Sequence, residues 1–147
     1  MMKALFIDRD GTINYDCPYC KDPKDLKIYD DAVELMKEYQ KKGYLIIIIT
    51  NQSGINRGYF SDSEFHIFND AVVKALADRG VTVKATYYCP HRPDEGCECR
   101  KPKPGLVLRA VKDFGIDLRD SLVAGDRQER DGALAENLGI PFILFKR

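Results

Sequence analysis

Apolar residues fall along this chain in short runs separated by amphipathic stretches. The runs are KALFID (3–8), YLIIIIT (44–50), VTVKATYY (81–88), SLVAGD (121–126) and PFILF (141–145). Between them, stretches near 30–42, 61–79, 104–114 and 129–138 place apolar residues at helical spacing, as Phe65, Phe68, Val72 and Leu76 do. Ser61 with Glu64 predicts a capping box at the second helix, and Pro104 suits the first turn of the third. Gly43, Gly80, Gly115 and Gly139 stand where the helices should stop. LIIIIT does not alternate apolar with polar residues, the mark of a strand covered on both faces. Five strands alternating with four helices predict an α/β fold: a doubly wound, mainly parallel five-stranded sheet with helices on both faces. A length of 147 residues makes one domain, 1–147, the default, with no sizeable extra domain to act as a lid.

In such sheets ligands bind beyond the carboxyl ends of the strands, where the strand order reverses. The unusual residues collect at those ends. Asp8 and Asp10 close the first run, Thr50 and Asn51 the second, and Asp126 the fourth. The connections 11–29 and 89–103 are longer than this fold needs, and long loops in compact domains are usually functional. An Asp-Gly after a strand is, alone, a common turn. GDRQERD repeats the arrangement after another buried run, so Asp126 and Asp131 are expected to face Asp8 and Asp10 across one crevice. Carboxylates packed together repel one another unless a cation lies among them, and an all-oxygen set suits Mg²⁺. Mg²⁺ held by few carboxylates keeps waters and binds substrate phosphate. Thr50 and Asn51 can cradle that phosphate, and Lys101 or Lys103 in CRKPKPG can supply positive charge. Singly, TNQSG reads better as a polar turn and RKPK as a solvated basic loop; at successive strand ends they converge.

Charge narrows the partners. With 23 basic and 23 acidic residues and a pI near 6.7, the chain has no basic field to gather nucleic acid or anionic lipid. MMKALFIDRD lacks a secretory signal, and no run approaches a spanning helix. A cytoplasmic monomer acting on a small molecule, with no nucleic-acid or membrane partner, is expected. Of the five cysteines, Cys89, Cys97 and Cys99 cluster with His91 as Cys-x-His and Cys-x-Cys. Three cysteines cannot pair among themselves, and Pro90, Pro93 and Gly96 shape a tight loop with no apolar residue to hold it, so a tetrahedral Zn²⁺ outweighs disulfides plus a surface histidine. Four protein ligands leave no open position, so this zinc should be structural, turning Arg100 and Lys101 toward the phosphate. Cys17 and Cys20 form CPYC, but KDP follows, and Pro23 opposes the helix a redox motif wants. A local disulfide, a second metal and idle thiols all stay open.

Taken in order, DRDGTIN, TNQSGINRGYF, CPHRPDEGCECRKPKPG and AGD with a further Asp resemble the four motifs of the haloacid dehalogenase (HAD) superfamily of phosphotransferases. The likeness spans nearly the whole chain and is closest to the branch of phosphatases acting on heptose 1,7-bisphosphate or histidinol phosphate. It implies that Asp8 is the nucleophile and Asp10 the general acid and base. It further implies that Mg²⁺ is held by Asp8, the main-chain carbonyl of Asp10 and Asp126, with Asp131 supporting that shell, and that Thr50 and Lys101 hold the phosphoryl oxygens. Arg57 and Arg100 are candidates for a second phosphate or sugar hydroxyls, which favours the bisphosphate over histidinol phosphate. A polynucleotide 3′-phosphatase is disfavoured by the balanced charge, and a non-catalytic zinc-stabilised binding module is the alternative from a different class. GDRQERD departs from the branch pattern, separating its acids by four residues rather than three, which leaves the contact of Asp131 to be settled.

Overall fold

The computed structural model describes residues 1–147. Five parallel strands, β1 (Ala4–Ile7), β2 (Leu45–Asn51), β3 (Val83–Cys89), β4 (Leu122–Gly125) and β5 (Phe142–Leu144), lie in the order β3-β2-β1-β4-β5. Four α-helices alternate with them: α1 (Asp30–Lys41), α2 (Asp62–Asp78), α3 (Gly105–Phe114) and α4 (Ala133–Leu138).

The unbroken apolar runs are explained by this layering. Leu5, Ile7, Ile46 and Ile48 point to one face, where they pack with Ala32, Val33 and Met36 of α1 and Phe68, Val72 and Leu76 of α2. Ala4, Phe6, Ile47 and Ile49 point to the other, against Leu106, Val107 and Ala110 of α3 and Leu134 and Ala135 of α4. Successive strand residues alternate faces, so both parities must be apolar when helices cover both sides. Fully burying each of the Val, Leu, Ile, Met and Phe side chains among these is worth about 1.5–3 kcal/mol. Helix α2 begins on the expected capping box: Glu64 N–H donates to Ser61 Oγ at 3.1 Å and Ser61 N–H to Glu64 Oε1 at 3.0 Å.

The chain winds from β1 to β2 to β3 in one direction, then returns across the sheet to β4 on the other side of β1. Right-handed crossovers running in opposite directions put their helices on opposite faces. The reversal leaves a crevice between β1 and β4 at their carboxyl ends. Asp8 enters it one residue past β1, with its N–H donating to the Ala124 carbonyl at 3.0 Å, and Asp126 enters one residue past β4.

Two element boundaries differ from the sequence reading. The third strand runs on to Cys89, which is fully buried, so the cysteine loop starts from the sheet itself. The expected helix 129–138 is a π-helical turn, Gln128–Gly132, followed by α4. A π-turn takes in one more residue than an α-turn, and this one spans the segment between Asp126 and Asp131.

Candidate active site

The crevice encloses a cavity of about 290 Å³. At its floor, oxygens of Asp8, Asp126 and Asp131 all lie within 4.8 Å of one another. Lys101 is inserted among them, only 4% exposed. Its Nζ donates to Asp8 Oδ1 at 2.7 Å, Asp131 Oδ1 at 2.8 Å and the Ile49 carbonyl at 2.9 Å, which uses all three ammonium hydrogens. Burial would lower the Lys101 pKa, but the charges of Asp8 and Asp131 raise it above the ordinary value. The Lys101 peptide is fixed too: its N–H donates to Asn51 Oδ1 at 2.9 Å while Asn51 Nδ2 donates to its carbonyl at 3.3 Å. Lys103 is turned away, donating to the Cys97 carbonyl at 2.8 Å, so of the two lysines in this loop Lys101 is the one brought to the acids.

Asp10 sits apart from this cluster. Its carboxylate accepts from Arg9 Nε at 3.1 Å and Arg9 Nη2 at 3.2 Å, from Asn14 Nδ2 at 3.1 Å and from Gln52 Nε2 at 2.8 Å. Burial works against its ionisation, yet the charge and bonds of Arg9, with those of Asn14 and Gln52, hold it below the ordinary carboxylate range. Gln52 Nε2 also donates to Thr50 Oγ1 at 2.8 Å, which fixes that hydroxyl at the end of β2. Asp126 is pushed up to about 6 by burial and by the neighbouring charge of Asp8. Asp131 likewise rises, by burial and by Asp8, against the pull of Lys101.

A hard divalent cation fits this donor set. Asp8, Asp126 and Asp131 offer only carboxylate oxygens, gathered at one point, which is the chemistry a hard divalent cation takes. The approach is kept open by Gly11, with φ +86°, where a Cβ would stand 2.6 Å from Asp126 Oδ2.

The second cluster is equally compact. Ligand atoms of Cys89, His91, Cys97 and Cys99 lie within 4.8 Å of one another, with His91 Nδ1 3.3 Å from Cys89 Sγ and 3.1 Å from Cys99 Sγ. Three sulfurs and one imidazole nitrogen around one point are the donor set of a closed tetrahedral Zn²⁺ site. Burial, then the contact with Cys99, pushes the Cys89 thiol up.

Four arginines line the more exposed part of the crevice: Arg57, Arg100, Arg127 and Arg130. Burial and the nearby charges of Arg130 and Arg57 push Arg100 below its ordinary value, the signature of cations gathered where an anion would relieve them. Arg57 is steadied by Ser53, whose Oγ accepts from its Nε at 3.1 Å. Phe60 is buried in the core, and Tyr59 is exposed.

Several participants went unread in the sequence. Arg9 is 1% exposed, bound to Asp10 and to Asn69 Oδ1 at 3.2 Å, and set over the rings of Phe65 and Phe68. An arginine between two aspartates reads as surface; the hint was that Asp10 has no other cation near it in sequence. Thr12 Oγ1 lies 2.8 Å from Asp126 Oδ1 and 3.2 Å from Asp8 Oδ2, tying the two acids together, and only its place after the turn glycine hinted at this.

The family model for polynucleotide kinase 3 phosphatase matches residues 4–144. The chain belongs to the HAD superfamily of phosphatases. It is thereby a phosphoric monoester hydrolase. Among curated relatives, a probable D-glycero-D-manno-heptose-1,7-bisphosphate 7-phosphatase of Thermoplasma acidophilum is 64% identical over 96% of this chain and 88% of its own length. The D-glycero-beta-D-manno-heptose-1,7-bisphosphate 7-phosphatase of Pasteurella multocida is 42% identical over 88% of this chain and 73% of its own. Among solved structures, the D,D-heptose 1,7-bisphosphate phosphatase of B. bronchiseptica, complexed with magnesium and phosphate, superposes with a TM-score of 0.87 at 33% identity, covering 97% of this chain and 80% of that one. The heptose phosphatase branch resembled by the sequence motifs is thus the one these relatives represent.

Proposed function

We propose that this chain is a Mg²⁺-dependent phosphatase that removes the 7-phosphate of D-glycero-D-manno-heptose 1,7-bisphosphate, with a structural zinc. The observation that carries the reading is the set of Asp8, Asp126 and Asp131 around buried Lys101 at the β1–β4 switch point, in a chain 64% identical to a probable enzyme of that name.

Asp8, Asp126 and the carbonyl of Asp10 would hold the Mg²⁺, with Asp131 supporting that shell. The ion, when bound, offsets the mutual repulsion of the acids and of the incoming phosphate. Asp8 attacks phosphorus, an aspartyl-phosphate bond forms, and the bond to the sugar oxygen breaks. Lys101 holds Asp8 in place through its ammonium, and its positive charge, with the Thr50 hydroxyl, lies near the transferring oxygens, over which charge is spread in the transition state. Asn51 acts through Lys101, whose peptide it clamps. Asp10 gives the sugar oxygen its proton and later takes one from the water that attacks phosphorus. The four bonds from Arg9, Asn14 and Gln52 favour its anion in the resting site. A phosphate dianion arriving beside it raises its proton affinity, which readies the acid when substrate is present. Arg57, Arg100 and Arg130 receive the second phosphate. Cys89, His91, Cys97 and Cys99 hold the zinc and so fix the backbone that leads into Arg100 and Lys101.

The test is turnover of heptose 1,7-bisphosphate, histidinol phosphate and a 3′-phosphorylated oligonucleotide by the purified protein with Mg²⁺. Preference for the bisphosphate, lost in Asp8→Asn, supports the proposal. Preference for the oligonucleotide overturns the substrate, and no hydrolysis of any phosphate ester overturns the reaction.

A further inference from the structure

The connection between β1 and α1 carries CPYC, and its tip forms part of the crevice wall through Pro18, Tyr19 and Cys20. The Cys17 and Cys20 side chains meet, with Cα atoms 5.4 Å apart, a separation that a disulfide spans, and the Cys20 N–H donates to the Cys17 carbonyl at 2.9 Å. Inside that closed turn Tyr19 takes a left-handed backbone, φ 57°, which a bulky residue adopts only where its surroundings impose it. The Tyr19 ring packs against Tyr59, centroids 4.5 Å apart, and lies over Gly54, where a Cβ would stand 2.9 Å from Tyr19 Cδ1 and 2.3 Å from Phe60 Cε1. Gly54 thus leaves the room in which the Tyr19 and Phe60 rings settle. Tyr19 and Tyr59 are 47% and 52% exposed, so neither fills the core, and Tyr19 lines the crevice that holds the acids. The chemistry assigned to the acids and Lys101 uses none of these groups.

We infer that Cys17 and Cys20 form a reversible thiol–disulfide clip that sets Tyr19 as a wall for the non-reacting part of the substrate. The inference rests on the phosphatase reading. With the pair oxidised, the short turn is closed covalently and Tyr19 is held against Tyr59. With it reduced, only the single backbone hydrogen bond closes the turn, and the left-handed backbone relaxes toward ordinary values. The oxidant is a low-molecular-weight or protein disulfide. One cysteine thiolate attacks a sulfur of that disulfide and expels a thiolate, which takes up a proton. The other cysteine thiolate then attacks the mixed disulfide at the protein sulfur, forming the Cys17–Cys20 bond and releasing a second thiol. Two electrons pass to the oxidant. Reduction is the reverse. A tyrosine face contributes stacking of a size that translates into about a 2- to 10-fold change in affinity.

The zinc- and magnesium-loaded enzyme is equilibrated in glutathione buffers of different ratio, with thiol counts and zinc content followed, and assayed on heptose 1,7-bisphosphate and on acetyl phosphate, which is too small to reach Tyr19. The expected result is a KM for the bisphosphate that differs about 2- to 10-fold between the oxidised and reduced forms, with acetyl phosphate hydrolysis unaffected. C17S/C20S and Y19A should each abolish the redox dependence, and Y19F should keep it. The inference is overturned by equal KM values in the two forms, by a dependence that survives in C17S/C20S, which would move it to the zinc thiols, or by a pair that no glutathione ratio interconverts. Acetyl phosphate turnover with a redox-insensitive KM removes the inference alone. Absence of any turnover in either form removes the phosphatase reading and the inference with it.

Discussion

Lys101 Nζ lies 2.7 Å from Asp8 Oδ1 on one side and 2.8 Å from Asp131 Oδ1 on the other, with the Lys101 and Asp131 side chains 3% and 2% exposed. Removing one partner of so buried a pair strands a charge, at a cost of about 3–5 kcal/mol. Lys101→Met should therefore both unfold earlier in urea and lose about 10²-fold or more in kcat, since the same ammonium holds the proposed nucleophile Asp8. Denaturant titration and steady-state kinetics on one preparation check both effects. A variant of wild-type stability would show that the ion pair does not form.

Asp126 is expected to set the pH dependence of the proposed Mg²⁺ binding. Its carboxyl, ordinarily at 3.8, is raised to about 6 by burial and then by Asp8. A raised carboxylate pKa means that the folded chain takes the proton more readily than the unfolded one. The group therefore favours the metal-free fold at low pH and opposes it as the pH rises from 3.8 through 6. Mg²⁺ competes with that proton. Affinity should be level above pH 6 and fall by up to about tenfold per unit below it, as read by calorimetric titration with MgCl₂ between pH 5 and 8. Affinity that is flat across that range would remove Asp126 from the site.

Gly11 is a sharp test of the acid cluster. Its φ of +86° strains any side chain, and an added Cβ would stand 2.6 Å from Asp126 Oδ2. Gly11→Ala should displace Asp126 and weaken Mg²⁺ affinity more than it lowers the melting temperature. A left-handed site without a close neighbour would give the opposite balance.

Removing zinc should loosen the loop that leads into Arg100 and Lys101. Apparent zinc-binding energies of ~10–16 kcal/mol amply order such a loop. About one zinc per chain is expected by elemental analysis, falling in Cys97→Ser, with a rise in KM for the bisphosphate. Full zinc content in that variant would exclude Cys97 as a ligand.

Arg147 reaches back from beyond β5 to the catalytic turn. Its Nε donates to the Gly11 carbonyl at 3.0 Å and its Nη2 to the Thr12 carbonyl at 2.6 Å, while Nη1 meets Asp31 Oδ2 at 2.7 Å and the guanidinium lies 3.5 Å from the Tyr29 ring centroid. Arg147→Ala should lower kcat with little change in KM, because Thr12 ties Asp8 to Asp126. Partial recovery with added guanidinium, absent in the wild type, would mark positioning of the turn rather than a general loss of stability.

Much of this was legible in residue order. Strand ends announce themselves where an apolar run stops at an Asp or Thr, so Asp8, Asp10, Thr50 and Asp126 could be placed on one edge before any coordinates. The cluster of Cys89, His91, Cys97 and Cys99 was legible because all four lie within one loop. Arg9, Thr12 and Gln52 were not, since each acts through a neighbour brought close by folding, and a polar residue in a turn looks the same whether it faces water or a carboxylate. Asn51 was placed correctly at the strand end, but its partner, the Lys101 peptide, lies 50 residues away.

The sequence by itself determined the α/β alternation, the two-sided burial of the strands, the zinc loop and the carboxylates at the strand ends, because apolar periodicity and ligand spacing are local properties of the chain. Tertiary structure alone decided that Lys101 rather than Lys103 reaches Asp8, that a π-turn brings Asp131 to the same point, and that Asp10 is held apart by a buried arginine. Those outcomes depend on distances of a few ångströms between segments far apart in sequence, and such distances exist only once the sheet has assembled.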